Sequence, residues 1–256
     1  MTPLLDVLGV GVSVGIIPLL LGFVPSFFMK GKEAAWGPFS GGLALGFLML
    51  FFTDLIDDSG GLGISSGLNV TMTQVALASL FFLGFALFFL ASSMNGSGQS
   101  GAVGPVAVVY LVALGIGIHA MGEGMIIGNN LAGQVAIEDF STIIQGLSFA
   151  IHKFLEGFTI AVFFGQKTRV KTAAVCTLLA GSPFLVGMPL GVFTYPAILA
   201  NFLFAGGAGA AVYVITQLLG FFQVRNDRYR IVLGFLVGFV IVYFASLIHF
   251  TQISGS

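Results

Sequence analysis

Two short stretches of this 256-residue chain each place a histidine and a glutamate four residues apart. They read His119-Ala-Met-Gly-Glu123-Gly124 and His152-Lys-Phe-Leu-Glu156-Gly157. On an α-helix, residues four apart lie on the same face, one turn from each other. Each stretch therefore predicts a helix that presents one imidazole and one carboxylate to the same neighbour.

Both stretches lie inside long apolar runs, where ionisable side chains are costly. A charge at the centre of a bilayer costs roughly 2.5–3.5 kcal/mol on the insertion scale, and Glu123, Lys153 and Glu156 incur this cost unless a partner neutralises them. Two neutral imidazoles and two carboxylates are a suitable ligand set for a divalent transition metal such as zinc, whose charge would cancel that of the carboxylates. We therefore predict a metal site with four ligands, which are His119, Glu123, His152 and Glu156.

The composition places the chain in a lipid bilayer. Charged residues make up 7% of the sequence and apolar residues 57%, and the mean hydropathy is +1.07. A soluble domain carries about 25% charged residues, so this chain could not cover a water-facing surface. Its apolar runs are much longer than the alternating segments of about ten residues that form membrane β-barrels. The expected class is an all-α, polytopic membrane protein.

About 20 apolar residues are enough for a helix to cross the hydrocarbon core, and we identify eight runs of this length. The predicted transmembrane helices cover 4–28, 36–56, 72–93, 103–129, 140–165, 171–193, 197–222 and 229–250. Because the connections between them are short, the whole chain, 1–256, is predicted to form a single transmembrane domain.

The basic residues orient these helices. All of them except Lys153 lie in or beside the loops after the first, fifth and seventh helices. Since loops rich in lysine and arginine stay in the cytoplasm, both termini are predicted to lie outside. The acidic residues of the opposite loops either concentrate cations at the outer surface or are ordinary solvated loop ends. They are Asp54, Asp57, Asp58, Glu138 and Asp139.

Prolines recur in the first and the sixth predicted helix. The first contains Pro18 and Pro25, and the sixth contains Pro183 and Pro189. Interrupted helices at corresponding places of two halves indicate a transport site between inverted repeats. We therefore predict an inverted 3+2+3 arrangement, in which helices four and five lie between two groups of three. The alternative is that prolines are simply tolerated in membrane helices.

Glycines at four-residue spacing allow helix backbones to approach closely. Gly124 and Gly157 directly follow the two glutamates of the motifs, so we expect them to bring helices four and five near enough to share one ion. For glycines away from the motifs, we expect helix packing alone. Examples are Gly42, Gly46, Gly187, Gly191, Gly234 and Gly238.

Helix five carries a polar stripe with steps of three and four residues. It consists of Ser141, Gln145, Ser148, His152, Glu156 and Thr159. Such a stripe is either a hydrogen-bonded seam between helices or the lining of a pathway, and its ionisable members favour the pathway. We therefore predict that Gln145 and Ser148 lie on the route of a transported ion.

Lys153 is the odd member of the second motif. It follows His152 and therefore projects roughly 100° around the helix from the ligand face. It is interpreted as a counter-ion to Glu123 or Glu156 in an empty site, or as an ammonium group that takes the place of a second cation. Both interpretations can hold together.

At these two motifs the sequence resembles the ZIP (Zrt/Irt-like) family of divalent-metal transporters. The matches are His119-x-x-x-Glu123-Gly124 in helix four and His152-x-x-x-Glu156-Gly157 in helix five. Eight helices with both termini outside are similar to that family as well. The resemblance implies import of zinc, iron or a similar cation into the cytoplasm, through an elevator-like shift of helices one, four, five and six against the others.

Three positions depart from the members of that family that hold two metal ions. Those members carry Asn after the helix-four His, an acidic residue after the helix-five His or Gln, and Glu before the helix-six proline. This chain has Ala120, Lys153 and Ser182 there. Because all three departures remove ligands of a second metal, the comparison with the family implies one metal per protomer.

We therefore predict a multi-pass transport protein of the cell membrane that imports a divalent metal through one central site. Zn²⁺ is the first candidate, followed by iron, manganese, cobalt and cadmium. The expected partners are divalent metal ions and the lipid bilayer, without nucleic acid, and a homodimer is left open. We expect no enzymatic activity and no cofactor besides the transported ion.

Two other classes stay open. One is an intramembrane zinc-dependent hydrolase, although the chain contains no His-Glu-x-x-His sequence. The other is a proton-coupled carrier in which the histidines and glutamates relay protons without a bound metal.

Overall fold

The computed structural model of the protein is almost entirely helical. It describes residues 4–29, 33–65, 70–95, 105–133, 140–164, 170–194, 197–223 and 227–253. The helices are α1 (Leu4–Gly11), α2 (Ile17–Leu21), α3 (Val24–Met29), α4 (Glu33–Ser65), α5 (Val70–Asn95), α6 (Pro105–Gly133), α7 (Phe140–Phe164), α8 (Val170–Phe193), α9 (Ala197–Gln223) and α10 (Arg228–Ile253). The all-helical class predicted from the sequence is confirmed.

Six segments within the described residues are long and apolar enough to cross a bilayer. They are Leu4–Phe28, Trp36–Asp57, Thr71–Ala91, Val109–Ala132, Val170–Phe193 and Ile198–Gly220. They match six of the predicted spans within a few residues, and the other two correspond to α7 and α10, which are 25 and 26 residues long. The chain is thus a multi-pass membrane protein. The number of eight spans and the outer position of both termini stay predictions.

The first predicted helix is interrupted where its sequence indicated. A π-helical turn at Val12–Ile16 joins α1 to α2, and the Ile17 N–H donates to the Val12 carbonyl there. Pro18, which has no N–H to donate, follows directly in the first turn of α2. A second turn, between Leu21 and Val24, separates α2 from α3. The first span therefore consists of three short helical pieces.

The sixth predicted helix is not interrupted, and the expectation of a break there is wrong. Helix α8 continues with Pro183 and Pro189 inside it. Pro183 cannot donate to the Leu179 carbonyl, but Gly117 of α6 lies directly against that oxygen. Close packing of α6 therefore covers the carbonyl that the proline leaves without its helical partner, and α8 stays continuous.

Glycines bring two pairs of long helices into close contact. Helix α4 packs along α10, where Gly42 lies against the Ile231 carbonyl and Gly234 against the Phe39 carbonyl. Helix α6 packs along α8 in the same way, through glycines on both helices. Since a methyl group at these glycines would overlap a backbone oxygen of the partner helix, the predicted packing role is confirmed.

Gly124 and Gly157 also pack closely, but against other helices than expected. Gly124 of α6 lies against the Phe184 carbonyl of α8, and Gly157 of α7 lies against the Leu19 carbonyl of α2. The expectation that they draw the two motif helices together is therefore wrong. Each glycine follows its glutamate and so points about 100° away from the ligand face, where it fixes its helix to a different neighbour.

Replacing Gly234 by alanine tests the contact between α4 and α10. A Cβ there would overlap the Phe39 carbonyl, so we expect Gly234→Ala to lower the free energy of unfolding by about 1–3 kcal/mol. The measurement is thermal unfolding in detergent. Gly220→Ala on α9 is the control, since a Cβ there meets no atom within 4 Å. Equal melting temperatures for both variants would contradict the packing account.

Candidate metal site

Helices α6 and α7 bring the four predicted ligands together. His119 and Glu123 lie on α6, and His152 and Glu156 lie on α7. One ligand atom from each of the four residues lies within 4.8 Å of those of the other three. As predicted from the spacing of four residues, each helix presents its imidazole and its carboxylate on the same face.

The distances between ligand atoms suit a small tetrahedral ion. His119 Nε2 lies 3.0 Å from Glu156 Oε1, and His152 Nε2 lies 3.3 Å from the same oxygen and 3.4 Å from Glu123 Oε1. A tetrahedral zinc ion with nitrogen and oxygen ligands separates neighbouring ligand atoms by about 3.3 Å. Three edges of such a tetrahedron are therefore already near their required length.

The site is closed on one side and partly open on the other. The side chains of His119 and Glu156 are 6% and 0% exposed, whereas those of His152 and Glu123 are 26% and 14% exposed. Along α7, all residues from 146 to 152 are at least partly exposed, and all those from 155 to 161 are buried. The more exposed part of α7 therefore lies on the N-terminal side of the site.

Lys153 forms ion pairs with both carboxylates at once. Its Nζ donates to Glu123 Oε2 and lies 2.8 Å from both oxygens of Glu156. The Lys153 side chain is 2% exposed. Lys153 precedes Glu156 by three residues and is therefore its neighbour on the helix surface. The counter-ion interpretation thus describes the geometry, with two carboxylate partners instead of one.

The carboxylate oxygens are divided between the histidines and the lysine. Oε1 of Glu123 faces His152, and Oε2 of the same group faces Lys153. Oε1 of Glu156 faces both histidines and also contacts Lys153, which in addition holds Oε2. With neutral histidines, two carboxylates and one ammonium leave one negative charge in the site, so the group can still attract a cation.

Three phenylalanines surround this group and were not predicted. The Phe51 ring centroid lies 4.3 Å from that of His152, and Phe149 stacks parallel to His152 at 6.3 Å. Lys153 Nζ lies 5.2 Å from the Phe149 centroid and 5.7 Å from the Phe184 centroid. Phe149 could have been found, because it precedes His152 by three residues. Phe51 and Phe184 come from α4 and α8, so no local pattern indicates them.

The remaining predicted positions are only partly described. Ser148 lies in the half-exposed part of α7, whereas the side chain of Gln145 lies outside the described residues. Ala120 is buried in an apolar cluster with Phe184, and Ser182 is exposed on α8. Of the acidic residues predicted to lie outside, Asp54 is half-buried and Asp57 is exposed. The side chain of Asp58, and Glu138 and Asp139, lie outside the described residues.

Comparisons with known proteins do not assign the chain to a family. No protein-family model matches the sequence, and no curated protein matches it significantly. The likeness to the ZIP family therefore rests on the two motifs and the helix pattern, and it stays a prediction.

Gly207 of α9 packs directly against His119, and the lack of a side chain at Gly207 leaves room for it. A Cβ at Gly207 would come within 2.8 Å of the His119 Cβ. The neighbouring Gly206 has no atom within 4 Å of the corresponding position. The two adjacent glycines therefore allow the support of His119 to be separated from general effects on α9.

We expect Gly207→Ala to weaken zinc binding and Gly206→Ala to leave it unchanged. The added methyl group overlaps the His119 Cβ and displaces this ligand, and overpacking of this kind typically costs about 1–3 kcal/mol. The measurement is titration calorimetry with Zn²⁺ on the detergent-purified protein, with thermal unfolding as the check on folding. Equal affinities in two folded variants would show that His119 is not a ligand or is not held by α9.

Proposed function

We propose that the protein imports a divalent transition-metal ion, zinc first among the candidates, across the cell membrane into the cytoplasm. The observation that carries this proposal is the convergence of two imidazoles and two carboxylates within 4.8 Å in a bundle of apolar helices. Nitrogen and oxygen ligands bind such ions without the retention that thiolates would give. The two motifs support membership of the ZIP family, as a single transport domain over 1–256.

The charge of the group favours a cation ligand over a purely structural role. A seam that only joins helices has no need of two carboxylates inside a membrane, where each is costly. Lys153 neutralises one charge equivalent, and one negative charge is left. A dication is attracted by this remaining negative charge, and binding at the four ligand atoms would also replace the long His152–Glu123 contact of 3.4 Å by two metal bonds.

The burial pattern supports alternating access. The ion reaches the site along the half-exposed part of α7, past Ser148 and, by its place in the stripe, Gln145. By the predicted topology this side is the outer one. Beyond the site, the buried residues from 155 to 161 close the path. Release into the cytoplasm therefore requires that this part of α7 separates from the helices that cover it.

The helix contacts support the inverted 3+2+3 arrangement. If a two-fold axis exchanges spans one to three with six to eight and span four with five, then the contact of α6 with α8 corresponds to that of α7 with α2. The contact of α4 with α10 corresponds to that of α5 with α9, and both members of each pair are present. Binding sites between inverted repeats are common in secondary transporters.

Both carboxylates of the cluster are proposed metal ligands, so neither is left to act as a general base. For this reason we propose transport instead of hydrolysis. Within the described residues, the group contains no third acidic residue. A metallohydrolase needs a general base in addition to its ligands.

A proton-coupled carrier without metal is the second candidate, and the hydrogen-bonded chain favours it. His119, Glu156, Lys153 and Glu123 follow one another in continuous contact. Chains of this type relay protons in other membrane proteins. Metal analysis of the purified protein separates the candidates, since only the first requires a bound divalent ion.

Uptake of radioactive zinc into proteoliposomes tests the proposal. We expect His119→Ala and Glu156→Ala to reduce uptake to the level of protein-free liposomes, because each removes one of the four metal ligands. Ser79→Ala is the control, since this exposed serine on α5 bonds only the Val75 carbonyl of its own helix. Uptake at the parental rate in both site variants would reject the metal site.

A further inference from the structure

The ammonium group of Lys153 has no obvious purpose in a site that binds cations. A set of neutral and negative ligands alone would attract a dication more strongly. Nevertheless Nζ of Lys153 bonds both glutamates that would ligate the metal. A positive charge that occupies the acceptors of a cation site must affect how strongly the site holds its ion.

The position of this group is closely constrained. Lys153 is 2% exposed, and its hydrogen-bond acceptors are oxygens of Glu123 and Glu156. The rings of Phe149 and Phe184 lie over Nζ at 5.2 and 5.7 Å. The ammonium is therefore enclosed by two carboxylates and two aromatic rings, and it is expected to stay beside the ion when the ion binds.

We propose that Lys153 is a tethered cation that lowers the metal affinity of the site and thereby speeds release. This inference rests on the proposed function, and it identifies the residue that sets the balance between binding and turnover. The division of the carboxylate oxygens supports it, because each glutamate can offer Oε1 to the ion while Oε2 stays on the lysine.

The electrostatic reason lies in the net charge of the two states. With neutral histidines, the empty site carries one negative charge and the site with a dication carries one positive charge. The cost of burying a charge rises with its square, so burial favours neither state. Without the ammonium, the empty site would carry two negative charges and the loaded site none. Burial would then strongly favour the loaded state, and the ion would be trapped.

The same contacts keep the empty site assembled. Two carboxylates at this distance repel each other in an apolar surrounding. Lys153 bridges them, and it therefore preserves the ligand arrangement between one ion and the next. A neutral residue at this position removes both the positive charge beside the ion and the bridge between the carboxylates. Each of these losses makes the empty site less favourable relative to the loaded site.

Lys153→Met tests the inference, because methionine keeps the unbranched apolar stem and removes the charge. We expect its Kd for Zn²⁺ to fall by at least about tenfold, since a unit charge near a buried ion contributes energies of kcal/mol size. In proteoliposomes the same variant should take up zinc more slowly at saturating zinc, because release is slower. Lys171→Met removes an exposed lysine of α8 and should change neither quantity.

Lys153→Gln guards against misfolding of the methionine variant. Glutamine can still donate hydrogen bonds to the glutamates but carries no charge, so it should also bind zinc more tightly than the parent. An unchanged or weakened affinity in a folded neutral variant would overturn the inference and leave Lys153 a positioning residue. A parent protein that neither binds nor transports zinc would instead contradict the proposed function, so the two failures are distinguishable.

Discussion

Two carboxylates buried among apolar helices must be neutralised, and the structure around α6 and α7 meets this requirement in several ways at once. Glu156 has no exposed surface, yet it contacts His119, His152 and Lys153. Glu123 shares two of these partners. The group is one charge short of neutrality, which is the property that a cation carrier needs. A fully neutral cluster would be more stable in the membrane, but it would have less attraction for an ion.

The scaffold holds the two motif helices separately. Helix α6 is fixed to α8 through glycine contacts, and α9 supports His119 at Gly207. Helix α7 is fixed to α2 through Gly157, and it contacts α6 less closely than α6 contacts α8. Helix α8 also packs against the first span, so the first span, α6, α7 and α8 surround the ligands together.

Local periodicity was enough to predict the helices and the four clustered residues, because a spacing of four residues fixes a common face whatever the helix packs against. Features that depend on which helices pack against each other could not be predicted from local periodicity. Gly124 and Gly157 meet α8 and α2, although each follows a glutamate of the site. Pro183 leaves α8 continuous, because Gly117 covers the freed carbonyl. The contact of Lys153 with Glu156 follows from their spacing of three residues, but its bond to Glu123 depends on how α6 packs against α7.

The central claim is that one ion is bound jointly by α6 and α7, and X-ray absorption spectroscopy of the zinc-loaded protein tests it most directly. The predicted spectrum shows zinc with nitrogen and oxygen ligands at about 2.0–2.1 Å and the scattering pattern of two imidazoles. His119→Ala and His152→Ala should each remove one imidazole contribution. A spectrum without imidazole scattering, or one that neither substitution changes, would contradict the account.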